Sequence, residues 1–173
     1  MGLLDEIESG GLETSSRVLR RGVPQYDYRQ KKKRSETDRK LRDKVGREVG
    51  KAKSNLDSIS DMAYEDGRRD VVGEIGDVTD SLLRLESKVE TAPNGGLLGG
   101  VSSASEEDMV RLVEKDARLV EDAETLSEAT DRLEEAVIDG KTDEIERRLH
   151  ELRKTADDIE RAFEDRKDIL EGL

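Results

Sequence analysis

The chain has 173 residues, a net charge of −12, 43% charged residues, 32% hydrophobic residues and 2% aromatics. So little apolar material excludes a thick globular core and suits long helices sharing narrow seams. There is no Cys, which excludes disulfides and thiolate metal sites. No apolar run approaches a membrane span and no signal-peptide pattern is visible, so a soluble, cytoplasmic protein is expected.

The charge is unevenly spread. Residues 1–16 hold four acids and no base, residues 17–53 hold 15 Lys/Arg against 5 Asp/Glu, and residues 54–173 hold 16 against 34. A basic block of this kind can meet nucleic acid, anionic lipid or the acidic part of another copy. The acidic excess, scarce aromatics and missing Cys resemble the composition of proteins from salt-loving archaea. In molar salt the Debye length is about 3 Å, which weakens a purely electrostatic grip on phosphates.

Residues 1–34 read as a flexible arm. Leu3, Leu4 and Ile7 share one face for a single turn before Gly10-Gly11 ends it. The segment is short and acidic, the wrong sign for an anionic membrane, so a mobile terminus is expected. From residue 17 the arm is basic, and Gly22 and Pro24 forbid a continuous helix. Tyr26 and Tyr28 lie between Arg17, Arg20, Arg21 and the cluster Lys31, Lys32, Lys33, Arg34. Bases stack on aromatic rings while cations hold phosphates, which makes these residues the candidate nucleic-acid or anion contact. The spacing of the two basic clusters also has the look of a bipartite nuclear signal. The plainer reading is a solvated arm, or one paired with acidic helices.

Residues 35–92 are strongly helical. Ser35 with Asp38 three residues on resembles an N-terminal cap. Leu41, Val45, Val49, Ala52, Leu56, Ile59 and Met62 or Ala63 mark one face, and the stripe restarts at Val72, Ile75, Val78, Leu82, Leu85 and Val89. One long helix with a weak, bent centre is expected, since neither Pro nor a cluster of turn residues breaks it; a helix pair turning near Gly67 is the alternative. Gly46 and Gly50 have GxxxG spacing, but charged neighbours favour close packing or simple tolerance over a membrane-type dimer. Gly73 and Gly76 have the spacing of a nucleotide-clamping loop, discounted for want of strands. Residues 93–104, rich in Gly and Ser, read as a linker, and Ser103 or Ser105 suits the next N-cap.

Residues 105–173 carry the clearest pattern. Met109, Leu112, Leu119, Ala123, Leu126, Leu133 and Val137 are spaced as a heptad seam, with Asp116 and Thr130 filling its gaps. Ile145, Leu149, Leu152, Ala156, Ile159, Phe163, Arg166, Leu170 and Leu173 repeat the spacing. Gly140 between them suits a helix end and Thr142 the next N-cap. A short connection makes the arms antiparallel neighbours. Facing residues then sum to a constant, which sets Leu119 on Phe163 and the one seam acid, Asp116, on the one seam base, Arg166. That couple is the candidate register pair. Val110, Val113, Ala117 and Val120 form a further apolar strip beside the seam. Another helix of the chain, or a second subunit, must cover it, so it is the candidate partner-facing strip.

The chemistry-bearing residues are few. His150 is the only histidine, and neither a di-iron nor a zinc ligand set accompanies it. Gly140-Lys141-Thr142 spells the end of a phosphate loop, but position 135 is Glu rather than Gly and no strand precedes it. No catalytic, cofactor-binding or metal site is expected, no small-molecule substrate, and no enzyme.

The fold expected is all-α: an elongated helical bundle or coiled coil, with a C-terminal antiparallel helical hairpin, a long preceding helix packed on it and a mobile basic N-terminal arm. The function expected is a coiled-coil scaffold or adaptor that binds a protein partner or self-associates. A nucleic-acid-binding protein using residues 17–53, and a peripheral membrane protein, are the alternatives.

Overall fold

Two glycines set the course of the chain. In the computed structural model Gly67 and Gly140 both stand at positive φ, +75° and +69°, where a Cβ is costly. The same bonds close around each. Gly67 N–H donates to Tyr64 O (3.0 Å) and Arg68 N–H to Ala63 O (2.9 Å); Gly140 N–H donates to Val137 O (3.1 Å) and Lys141 N–H to Ala136 O (3.2 Å). This is the Schellman ending, which satisfies carbonyls that a helix C-terminus otherwise leaves orphaned.

The structure describes residues 3, 5, 11–28, 31–92 and 105–172, with the backbone alone at 31, 32, 106, 171 and 172. The linker expected at 93–104, the cap expected at Ser103, the turn around Leu4 and Ile7, the side chains of Lys31 and Lys32, and Leu173 all lie outside the described residues. The described residues form an all-α helical bundle without strands: α1 Glu13–Gly22, α2 Lys31–Glu65, α3 Arg69–Thr91, α4 Glu106–Asp139 and α5 Thr142–Gly172.

The stretch expected as one bent helix is therefore two, α2 and α3, broken at Gly67. The break is decided in three dimensions. Arg68 Nη1 donates to Val137 O at 3.0 Å, so its charge settles at the C-terminal, negative end of α4. Two caps also differ from expectation. Ser35 lies inside α2 rather than at its start, and Thr37 and Asp38 serve buried partners. Thr142 is the first helical residue of α5, since Lys141 O already accepts Ile145 N–H at 3.0 Å. Ser105 does cap α4: its hydroxyl accepts Asp108 N–H at 3.1 Å.

The chain forms two compact units, one of residues 1–45, 91–121 and 161–173, the other of residues 46–90 and 122–160. In the second, each helix meets two others. Lys53 pairs with Glu86 at 2.5 Å, joining α2 to α3. Lys88 pairs with Glu160, and Arg153 donates to Glu74 O at 3.4 Å, joining α3 to α5. Asn55 Nδ2 donates to Thr130 Oγ1 at 2.8 Å, joining α2 to α4; α4 and α5 face each other near Gly140. The residue pairs make α2 and α4 parallel neighbours, and likewise α3 and α5. Thr130, the polar gap in the seam, is satisfied by Asn55 and by its own bond to Ser127 O at 2.7 Å.

Every described seam position of α4 and α5 is buried, as are Ile75, Val78, Leu82, Leu85 and Val89 of α3. The second unit holds 25 Asp/Glu against 13 Lys/Arg, and the first 18 of each, so the whole excess of −12 belongs to the second. Its stability should rise with salt: thermal unfolding followed by circular dichroism is expected to move to higher temperature as the Debye length shrinks from about 10 Å to about 3 Å.

The glycines divide into two kinds. Gly73 and Gly76 lie inside α3, and a Cβ added at either would meet nothing within 4 Å. Gly73→Ala and Gly76→Ala should each stabilise the fold by up to about 1 kcal/mol. Gly67→Ala and Gly140→Ala should each destabilise it by about 1–2 kcal/mol, through the left-handed backbone they would strain. Denaturant midpoints measure both, and equal signs for the two pairs would contradict the assignment.

Candidate functional site

Arg166 lies on the buried seam of α5, only 2% exposed. An arginine cannot shed its charge in a protein, so burial obliges the fold to surround it with acceptors. Its Nε donates to Asp116 Oδ1 at 2.7 Å and its Nη2 to Asp38 Oδ1 at 2.5 Å, while Nη2 also donates to the Tyr28 hydroxyl. The guanidinium carbon lies 5.7 Å from the centre of the Tyr28 ring. The two seam residues singled out as a register pair are thus bonded directly, inside a larger cluster.

The cluster closes through residues far apart in sequence. Tyr26 OH donates to Asp116 Oδ2 at 2.8 Å, so both oxygens of that carboxylate are occupied. Asp38 Oδ2 accepts Arg42 Nε at 2.9 Å, and Asp38 Oδ1 accepts the Tyr28 hydroxyl at 3.4 Å. Arg42 reaches on to Ala92 O at 3.5 Å. Two acids and two arginines make a neutral set. The Tyr26 and Tyr28 rings meet edge-on, with centroids 5.3 Å apart.

The sequence pattern does not single out Asp38 or Arg42 for this cluster. Asp38 carries a signal all the same: it stands one step before Leu41 on the apolar stripe of α2, a charge where an apolar residue is due.

The tyrosines bring the basic arm with them. Residues 11–28, expected to be mobile, are packed. Arg34 Nε donates to Tyr28 O at 2.8 Å, and Thr37 Oγ1 both accepts Asp27 N–H and donates to Asp27 O at 3.2 Å. Val23, Pro24, Gln25 and Tyr26 form a turn, closed by Tyr26 N–H on Val23 O at 3.1 Å. Gln25 takes φ +64° there, at a position that favours Gly and costs other residues about 1–2 kcal/mol.

Three of the residues expected to contact nucleic acid are therefore unavailable. Tyr26, Tyr28 and Arg34 are buried, because their polar atoms are engaged with Asp116, with Asp38 and Arg166, and with the Tyr28 carbonyl. Arg17, Arg20, Arg21 and Lys33 are exposed, but Arg20 pairs with Asp5 at 2.5 Å and Lys33 lies 3.8 Å from Asp27. No pair of rings remains on this segment for bases to stack on.

The strip expected to face a partner is also filled. Val113, Ala117 and Val120 are buried and Val110 is half-buried. Helix α1 accounts for part of this cover. A Cβ on Gly22 would lie 2.7 Å from Val120 Cγ1, so the end of α1 approaches α4 as closely as only glycine permits. Val18, Leu19 and Val23 are buried on the same short segment.

The remaining features are slight. His150 is exposed on α5, and no group of three or more His, Cys, Asp or Glu able to hold a metal occurs among the described residues. A cavity of about 320 Å³ lies between α4 and α5 near Gly140, lined by Arg132, Glu135, Ala136, Asp139, Lys141, Glu144 and Arg148. Its acids and bases are equal in number and it has almost no apolar wall, unlike a small-molecule site. No described helix is long and apolar enough to cross a membrane. No family model matches the chain, and neither a curated protein nor a solved structure matches it.

Burial raises Tyr26 well above its ordinary pKa, with the Asp116 charge adding to it; burial likewise raises Tyr28, although Arg166 opposes this. Burial by itself would lower Arg166, but Asp116, Tyr28 and Asp38 outweigh it and hold the guanidinium well above its usual value. Both tyrosines thus hold their protons more tightly folded than unfolded. Stability should be intact below the ordinary tyrosine pKa of about 10 and fall as the pH climbs beyond it. Tyrosinate absorbance from the two buried rings is expected only together with loss of the helical signal.

Removing one member of the cluster strands the others. Arg166→Met should cost about 3–5 kcal/mol, the usual penalty for uncompensated buried charge. The adjacent surface pair Lys115–Asp165, 2.5 Å apart and largely exposed, is the control: Lys115→Met should cost under about 1 kcal/mol. Urea unfolding of both variants tests the contrast, and comparable losses would remove the special place given to Arg166.

Proposed function

We propose that the chain is a non-enzymatic helical scaffold or adaptor of the cytoplasm, acting in concentrated salt through helix–helix contacts with a protein partner or with further copies of itself. The observation that carries this reading is the α4 strip. Its valines accept a short basic helix, α1, with a glycine at the closest approach, so the strip has the shape and chemistry of a helix-docking surface. The buried charged cluster has a structural explanation, since its acids and bases neutralise one another. That leaves helix faces as the surfaces through which the protein would act.

A nucleic-acid reading has lost its stacking rings to the cluster, and the scaffold reading stands ahead of it. Light scattering tests the proposal, with a native pull-down beside it. The mass in solution is expected to be at least twice the 19.4 kDa of one chain, or else a protein partner is recovered that a peptide of residues 11–28 displaces. A strict monomer that brings down no such partner would overturn it.

A further inference from the structure

Residues 11–28 are held to the bundle in two ways, and the two meet at one turn. Beyond the turn the hold is polar and buried. Tyr26 OH donates to Asp116, Tyr28 OH to Asp38 and Arg34 Nε to the Tyr28 carbonyl, while Thr37 Oγ1 bonds both backbone groups of Asp27. Breaking any of these strands a buried polar or charged group, so this end is costly to lift.

Before the turn lies apolar packing. Val18, Leu19 and Val23 are buried, and Gly22 lies against Val120. Arg20 turns back into its own segment, donating to Ser16 Oγ at 3.3 Å and to Asp5 Oδ1 at 2.5 Å, so these bonds travel with α1. Helix α1 has ten residues, and Leu12 gives it no side-chain cap. An isolated helix needs roughly 12–15 residues to persist in water. Helix α1 therefore keeps its form by docking and loses it when lifted.

The turn between the two, residues 23–26, favours opening. Gln25 stands there at φ +64°, a left-handed backbone that is costly for a residue with a Cβ. Tyr26 N–H closes the turn on Val23 O at 3.1 Å, and Pro24 has no N–H to add a second bond. Opening at this point loses the closing bond, frees Gln25 and leaves both tyrosines where they are.

We infer that α1 is a strap: it lifts off α4 as one unit about Pro24 and Gln25, while Tyr26 and Tyr28 stay in the buried cluster. The folded molecule then alternates between a closed form, with Gly22 on Val120, and an open form in which Val120 faces water. Such partial openings cost less than unfolding the whole chain. In the scaffold reading the open form is the one that bares the strip, so α1 governs access to it. The motion itself does not depend on that reading.

Hydrogen exchange of the full chain, followed residue by residue, tests the strap. The helical amides from Ser16 to Val23 should exchange on the order of a hundredfold faster than those of α4 around Leu119, at a rate that low urea leaves unchanged. Two variants separate the strap from general unfolding. Gln25→Gly removes strain from the closed form and should slow exchange at 16–23 by about 5- to 30-fold. Tyr26→Phe weakens a bond that the closed and open forms share, so it should speed exchange in α4 and leave 16–23 unchanged. Protection at 16–23 equal to that of α4, no slowing by Gln25→Gly, or an equal effect of Tyr26→Phe on both regions would each overturn the strap. None of these results bears on the mass or the partner that the scaffold reading expects, so the two stand or fall separately.

Discussion

A guanidinium that cannot lose its charge, placed where water is excluded, constrains everything around it. Arg166 sits on the seam between α4 and α5, and the seam can close only if Asp116 faces it. One carboxylate does not exhaust its donors, so Asp38 of α2 and the hydroxyl of Tyr28 are drawn to it as well. Asp116 in turn has a second oxygen to satisfy and takes Tyr26. A requirement that begins with one residue of α5 thereby fixes the place of α2, of α4 and of the segment before α2. Such a cluster contributes little net stability compared with apolar residues of the same volume, but it penalises every arrangement in which one member is missing. It therefore selects one packing over others more than it deepens the well.

The rest of the first unit follows from how the cluster holds the N-terminal segment. With Tyr26 and Tyr28 anchored, the chain before them is delivered to the side of α4, and α1 is laid on the strip that the heptad seam leaves uncovered. Gly22 allows the close approach. Gln25 bears the strain of the turn that makes it, the one non-glycine residue among those described with a positive φ. The docked α1 thus helps to bury Val113, Ala117 and Val120.

The second unit is organised differently. Its interior is largely apolar, with Thr130 satisfied by Asn55 and Ser127, and its direction changes fall at Gly67 and Gly140, where the backbone is left-handed. The guanidinium of Arg68 ties the two turns, bonding the end of α4 while lying 3.0 Å from where a Cβ of Gly140 would be. All of the molecule's excess negative charge is carried here, on the outward faces of helices. Charge and apolar contact are thus separated between the units: the first presents a helix seated on a helix, the second a strongly acidic surface.

Much of the helical content was legible in the sequence because the spacing of apolar residues reports which side of a helix is buried whatever it is buried against. The stripes of α2, α3, α4 and α5 could be read this way, as could the helix end at Gly140, where glycine precedes a new acidic helix start. The opposition of Asp116 and Arg166 was readable too, since a short connection makes facing positions a matter of counting. What the spacing could not show is which element meets which across long separations. The bond from Tyr26 to Asp116 spans 90 residues and that from Arg166 to Asp38 spans 128. A basic, proline-containing segment with two tyrosines looks like a solvated arm until the acids waiting inside the bundle are known. Gly67 was ambiguous for the same reason: glycine is tolerated within a helix or ends one, and only the contact of Arg68 with α4 decides between them. Local pattern settled which faces of α2 to α5 are buried; the need to neutralise buried charge and satisfy buried hydroxyls settled where the N-terminal segment goes, and the contact of Arg68 settled where the chain turns.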